Sequence, residues 1–176
     1  RFDEAEPIVE SELSRRGLDS RRGFAVLLPS TRGAAKRWPA ASYSELGAAL
    51  AKRLGLAVLL LGGPGEEPLL GEIQARAARA DVVCWTPGPI GQLVTALKRA
   101  SLVIGNDTGP LHIAAALGVT SIGLFGPTSG ERNGPYGPTG SYIQSPTGRV
   151  ADISVGAVLD LATASFRRPS VSEVRT

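Results

Sequence analysis

Residues 105–128, GNDTGPLHIAAALGVTSIGLFGPT, carry the densest chemistry in the chain. A strand ending in Gly-Asn-Asp-Thr-Gly, a helix opening at Pro110 and a second strand from Val119 are expected here. A glycine-bearing polar turn that feeds a helix start aims unpaired backbone N–H groups and the positive end of the helix dipole at one point, which suits a phosphate. Thr108, Gly109 and the amides of the first helical turn are the candidate phosphate ligands. Asp107 or Thr108 can equally serve as the N-cap of the helix. A carboxylate repels phosphate, so Asp107 is read as orienting the loop or meeting sugar hydroxyls. His112 falls in about the first turn of the same helix. A lone histidine there either packs or titrates beside the anion.

Four more loops offer matching groups. PSTRGAAKRWP, residues 29–39, supplies two hydroxyls (Ser30, Thr31) and then Arg32, Lys36 and Arg37. Hydroxyls and a lysine just after a strand make a pyrophosphate clamp with Lys36 as the point charge. The spacing is not that of a Walker A loop. An ordinary cationic surface loop with Trp38-Pro39 as a packing wedge is the other reading. Glu66 follows a Gly-Gly-Pro-Gly turn, where nucleotide folds hold ribose hydroxyls; it could also only complement a helix dipole. Thr86-Pro87-Gly88-Pro89 could lay backbone against a base. GPTSGERNGPYG, residues 126–137, either closes over a ligand or is merely a long loop.

Positioning these loops requires strands. FAVLLP (24–29), LAVLLLG (56–62), 81–84, SLVIG (101–105) and VTSIGLF (119–125) read as strands, with SYIQS (141–145) as a last, exposed one. Helices are expected over 4–16, from a Ser42-x-x-Glu45 capping box to Leu54, and over 66–79, 90–99, 110–117 and 153–165. Residues 126–140 read as irregular. This alternation implies a Rossmann-like α/β fold, a parallel sheet with helices on both faces and right-handed crossovers. In such sheets ligands bind outside the carboxyl ends of the strands. All the residues singled out above fall in or just after the loops at that edge. Residues 23–166 are expected to form one Rossmann-like ligand-binding unit. Residues 1–22 are read as a linker or as a helix from a missing N-terminal domain, and 167–176 as a flexible tail.

Composition narrows the class. With 43% hydrophobic residues in 176, the chain can bury one α/β domain or one lobe of a larger protein. Net charge is +3, but the charges are scattered, which argues against a nucleic-acid partner. One cysteine and one histidine leave no intrachain disulfide and no multi-histidine metal site. No apolar run reaches the roughly 20 residues of a membrane span. A cytoplasmic setting fits, whether free or peripheral at the inner face of the membrane. A start at Arg1 rather than Met suggests a piece of something longer.

AAKRWP after the first strand, NDTGPLHIAAALG after the fourth, and GLFGPT with GPYG after the fifth together resemble glycosyltransferase family 9, the ADP-heptose:lipopolysaccharide heptosyltransferases and their relatives. The resemblance runs from about Phe24 to Gly137. It implies one half of a GT-B fold, the C-terminal donor-binding domain, with residues 23–166 as the nucleotide-sugar-binding domain. It also implies that Thr31 and Lys36 contact the donor diphosphate, that Glu66 meets the ribose, and that the Gly88–Pro89 backbone lies near adenine. Asp107, Thr108, Gly109 and His112 would surround the diphosphate and sugar. The implied reaction is an inverting, metal-independent transfer of heptose from ADP-heptose to a lipopolysaccharide core or other glycolipid acceptor, with no cofactor beyond the donor. Lys36 would stabilise the leaving group, and the general base would come from the N-terminal domain. A non-catalytic nucleotide-binding module, or another GT-B-like enzyme such as a UDP-sugar epimerase, remains an open alternative.

Overall fold

The computed structural model describes residues 2–19 and 21–166. The tail expected from Arg167 lies outside the described residues. Along the chain run α1 (Phe2–Arg15), β1 (Phe24–Leu28), α2 (Ala40–Leu54), β2 (Ala57–Leu61), α3 (Glu67–Ala77), β3 (Val82–Trp85), α4 (Ile90–Arg99), β4 (Leu102–Asn106), α5 (Gly109–Ala116), β5 (Ser121–Phe125), α6 (Gly130–Asn133), β6 (Gly140–Gln144) and α7 (Val155–Ser165). The strands form one sheet in the order β3-β2-β1-β4-β5-β6, and every pair is parallel. The order runs outward from β1 to β3, then restarts on the other side of β1 with β4. That reversal puts the ends of β1 and β4 side by side.

The central strands are continuous apolar runs because both faces of the sheet are covered. Their alternate residues divide between two cores. Ala25 and Leu27 of β1 join Tyr43, Leu46, Leu50, Leu70, Ile73 and Val158 under α2, α3 and α7. Phe24, Val26 and Leu28 join Val9, Leu13, Leu97 and Leu111 under α1, α4 and α5. The charge-dense first helix therefore packs as part of this layered unit. Its stripe Ala5, Val9, Leu13 is buried at helical spacing. Arg99 of α4 pairs with Glu6 and Glu10, and Arg16 lies over the Trp85 ring, 5.5 Å from its centroid.

Three local expectations change. The Ser42–Glu45 capping box does not form. The Pro39 ring presets a backbone that starts α2 at Ala40, and no side chain caps that end. Within 126–140 the irregular stretch contains α6, capped by the Ser129 hydroxyl, which accepts from Arg132 N–H. Because β6 is parallel to β5, with Ser121 opposite Gly140, this stretch must return to the opposite edge of the sheet. Only its first residues stay beside the ends of β1 and β4, while the exposed Tyr136 belongs to the return.

Gly126 opens that stretch in a tight place. A Cβ there would stand 2.4 Å from Val150 N and 3.0 Å from Gly148 O, both backbone atoms. Gly126→Ala is expected to cost about 2–3 kcal/mol, because no rotamer change relieves the clash. That corresponds to a fall in Tm of roughly 5–10 °C. Gly71→Ala, in open space inside α3, is expected to raise Tm slightly instead, through about 0.5–1 kcal/mol of helix propensity. Paired thermal melts check both signs.

Candidate functional site

The loop after β1 leaves at Pro29, bends at Gly33 with φ 93°, makes a single 3-10 turn over Ala34–Lys36 and re-enters at Trp38. Opposite it, β4 ends in Asn106 and passes through Asp107 into α5. The two loops are tied together. The Lys36 ammonium donates to Asp107 Oδ2 at 2.7 Å, and the Thr128 hydroxyl donates to the same oxygen at 3.1 Å. The Thr31 hydroxyl donates to the Asp107 carbonyl at 3.0 Å, and His112 Nε2 lies 3.7 Å from Asp107 Oδ1. Burial pushes the Asp107 carboxyl up, but the hydrogen bonds from Lys36 and Thr128 and the nearby positive charges outweigh it. The net result holds Asp107 below the ordinary aspartate value, so it stays ionised through the neutral range.

Asp107 is thereby committed to Lys36 and Thr128, not to capping. Thr108 occupies the N-cap position of α5 in an extended conformation, yet its side chain makes no cap bond. The start of α5 is consequently held by no side chain and keeps its backbone donors and dipole available to an anion.

Beside this cluster a cleft of about 400 Å³ opens along the carboxyl ends of β1, β2 and β4. Ser30, Thr31 and Arg32 line one wall, Glu66 and Gly88 the other, and Thr108 and Pro110 a third side, while Leu28, Leu61, Leu93 and the exposed Ile90 add apolar lining. Glu66 sits at the N-cap position of α3 and folds back, its Oε2 accepting from Gly63 N–H at 2.6 Å. Gly88 N–H is taken by the Gln92 carboxamide at 2.9 Å. The Ser30 hydroxyl oxygen is buried and, among the described residues, has no hydrogen-bond partner. Among the described residues no group of three or more His, Cys, Asp or Glu is placed to hold a metal ion.

The structure thus collects Ser30, Thr31, Glu66, Gly88 and Thr108 in one cleft, and puts Lys36, Asp107 and His112 in a charged cluster at its side. Pro89 stands at the N-cap position of α4 and Gly109 begins α5, but neither is among the residues that line the cleft. Two residues at the site were not singled out from the sequence. Thr128 lies in the GLFGPT stretch and shares the carboxylate with Lys36. Asn106 lies next to Asp107 and is fully buried. The polar pair after the apolar run Leu-Val-Ile-Gly was the available signal for the second.

This sheet order, with the polar loops gathered where it reverses, is that of a Rossmann-like α/β unit. The chain belongs to glycosyltransferase family 9 (heptosyltransferase), whose profile matches residues 4–160. Lipooligosaccharide heptosyltransferase 2 of Haemophilus influenzae is 32% identical over 128 residues, covering 70% of this chain and 37% of that protein. Lipopolysaccharide heptosyltransferase 1 of Salmonella typhimurium is 33% identical over 141 residues, covering 77% and 42%. The solved structure of E. coli heptosyltransferase WaaC with ADP superposes with a TM-score of 0.76 at 27% identity, over 90% of this chain and 48% of that one. A family 9 glycosyltransferase from Veillonella parvula shares the fold with a TM-score of 0.82 at 22% identity, over 92% and 51%. The chain spans about two fifths of the length of these curated relatives and about half of the solved chains.

Proposed function

We propose that this chain is the donor-binding half of an inverting glycosyltransferase that moves heptose from ADP-heptose to a lipopolysaccharide-type acceptor. The observation that carries the reading is the Lys36–Asp107 pair, which ties the β1 and β4 loops together beside an uncapped helix start at the mouth of the cleft. Family membership and the likeness to a heptosyltransferase structure with ADP support the ligand class.

In this reading the acceptor hydroxyl attacks the anomeric carbon, that carbon's bond to the diphosphate oxygen breaks, and negative charge collects on the departing ADP. Lys36 and the start of α5 meet that charge, and the Thr31 hydroxyl joins them by turning from the Asp107 carbonyl. Donors fixed in place before the reaction lower the barrier because they need no rearrangement as charge develops. Glu66 offers its Oε1 to the ribose, and the apolar lining beside Gly88 receives adenine. Asp107 orients Lys36, and His112 stands by the diphosphate and sugar. The acceptor proton needs a base, and Asp107 is ill suited because its affinity for protons is lowered. The base is assigned to the N-terminal half of the enzyme. No helix among the described residues is long and apolar enough to cross a membrane. The working place proposed is the cytoplasmic side, at or near the inner membrane face where a glycolipid acceptor would be met.

Calorimetry with ADP, UDP and GDP tests the donor assignment. The expected result is binding of ADP at least about tenfold, or roughly 1.4 kcal/mol, tighter than UDP or GDP. Tighter UDP binding would move the chain to a different sugar-nucleotide class, and no nucleotide binding would overturn the reading. The chain alone is expected to release no ADP from ADP-heptose in the presence of a lipopolysaccharide core acceptor. Steady turnover would overturn the assignment of the base to the other half.

A further inference from the structure

Asn106 ends β4 at the point where the strand order reverses, and its side chain is fully buried. Both halves of its carboxamide are used. Oδ1 accepts from Trp38 N–H at 3.0 Å, and Nδ2 donates to the Pro29 carbonyl at 2.8 Å. The amide orientation is fixed by its partners, since a backbone N–H can only donate and a carbonyl can only accept. Pro29 and Trp38 are the two ends of the loop that carries Thr31 and Lys36. One side chain therefore closes that loop at its base.

The next residue holds the loop's interior. Asp107 receives the Thr31 hydroxyl on its carbonyl at 3.0 Å and the Lys36 ammonium on its carboxylate at 2.7 Å. Two consecutive residues of β4 and its exit thus grip the loop at four points. The 2.7 Å reach of Lys36 depends on where its loop begins and ends, and those two points are set by Asn106. A carboxamide of this size holds a donating NH2 and an accepting oxygen in one rigid plane. An ionised aspartate would lose the bond to Pro29, and a serine can bridge only one of the two distances at a time.

We infer that Asn106 is a positioning residue that presets Thr31 and Lys36 for a diphosphate by clamping the 29–38 loop. The clamp stands on the geometry alone, while its ligand rests on the donor-binding function proposed above. Both side-chain hydrogen bonds of Asn106 go to the 29–38 loop, so its removal should act on the phosphate end of a nucleotide and spare the nucleoside end.

The test compares the chain with Asn106→Asp and Asn106→Ser at neutral pH by amide hydrogen exchange and by titration with ADP and with adenosine. Amides of 31–38 should exchange at least about tenfold faster in each variant while Val103 and Ile104 stay protected. ADP should bind roughly tenfold to a hundredfold more weakly, the loss expected when a buried hydrogen bond is removed, and adenosine should change by less than about twofold. Unchanged exchange over 31–38 in a folded variant, or equal weakening of ADP and adenosine, would overturn the clamp. If the unmodified chain binds no ADP, the donor reading fails, and the exchange comparison alone still judges the clamp. Should neither variant fold, the Trp38 amide of the unmodified chain decides. Exchange only through global unfolding supports the clamp, and exchange through local opening of the loop rejects it.

Discussion

Lys36→Met is expected to weaken ADP binding about a hundredfold, roughly 2.8 kcal/mol at 1.4 kcal/mol per decade. Two effects add. The hydrogen bond from a cation to a phosphate oxygen is of the charge-assisted kind, worth about 1.5–3 kcal/mol. The second effect comes from Asp107, which in the unmodified chain gives one oxygen to Lys36 and Thr128. Without the ammonium, its carboxylate faces an incoming diphosphate with only a hydroxyl to blunt it. Asp107→Asn alone should cost less, because the neutral amide removes the repulsion along with the anchor. The double variant should bind ADP more tightly than Lys36→Met, giving a coupling of opposite sign to simple additivity. The sign with pH follows from the lowered carboxyl of Asp107. Its share of folding stability is present above the ordinary aspartate range and is lost as pH falls through its own lower value. Lys36→Met removes the main hydrogen bond that lowers it. The stability gap between the two proteins should therefore be full near neutral pH and close on acidification. Calorimetry for ADP and melts from neutral to acid pH measure all of this. An affinity for ADP within twofold of the unmodified chain would show that Lys36 does not meet the ligand.

The parts of this molecule that could be read from the sequence are those governed by local periodicity. Runs such as FAVLL and AVLLL sit where expected because a strand buried on both faces must be apolar at every position. Gly55 and Gly118 end their helices as expected, with φ of 66° and 78° that few other residues adopt. The failures have two causes, a stronger neighbouring signal in one case and a distant partner in the others. Ser42 and Glu45 have the spacing of a capping box, but Pro39 and the buried ring of Trp38 start the helix earlier. The stretch 126–140 reads as one loop, yet the parallel pairing of β5 and β6 forces most of it away from the cleft. At the site, Lys36 and Asp107 could each be singled out from their own loops. That they meet, 71 residues apart in sequence, depends on β1 and β4 being neighbours, and strand order is not written in periodicity. Asn106 was hidden for a related reason. An asparagine at a strand end usually signals a turn, and its role appears only when Pro29 and Trp38 are brought to it.

Trp38→Ala is expected to bring the fold to the edge of stability. The indole is fully buried, stands edge-on to Tyr43 with ring centroids 5.0 Å apart, and donates from Nε1 to the Ile153 carbonyl at 2.9 Å. Truncating a buried aromatic to alanine costs about 3–5 kcal/mol, against a total stability of about 5–15 kcal/mol for a typical domain. Trp38→Phe separates packing from hydrogen bonding. It keeps an aromatic ring against Tyr43 but leaves the Ile153 carbonyl unpaired, a cost of about 1–3 kcal/mol. At roughly 2–4 °C per kcal/mol for a chain of this size, Tm should fall by about 6–20 °C for alanine and by about 2–12 °C for phenylalanine. Tyr43 adds a check within the same cluster. Its hydroxyl donates to the Leu28 carbonyl at 3.2 Å, and burial pushes the phenol far above its ordinary range, so it stays neutral throughout. The Trp38 effects should accordingly be flat with pH across the neutral and mildly alkaline range. Because Trp38 N–H is one of the two bonds that close the 29–38 loop, whatever Trp38→Phe does to the ring should leave ADP affinity nearly intact: the backbone donor is unchanged, and only the wedge beneath it is trimmed. A large loss of ADP affinity in a well-folded Trp38→Phe protein would mean that the ring itself, and not the amide, sets the position of Lys36.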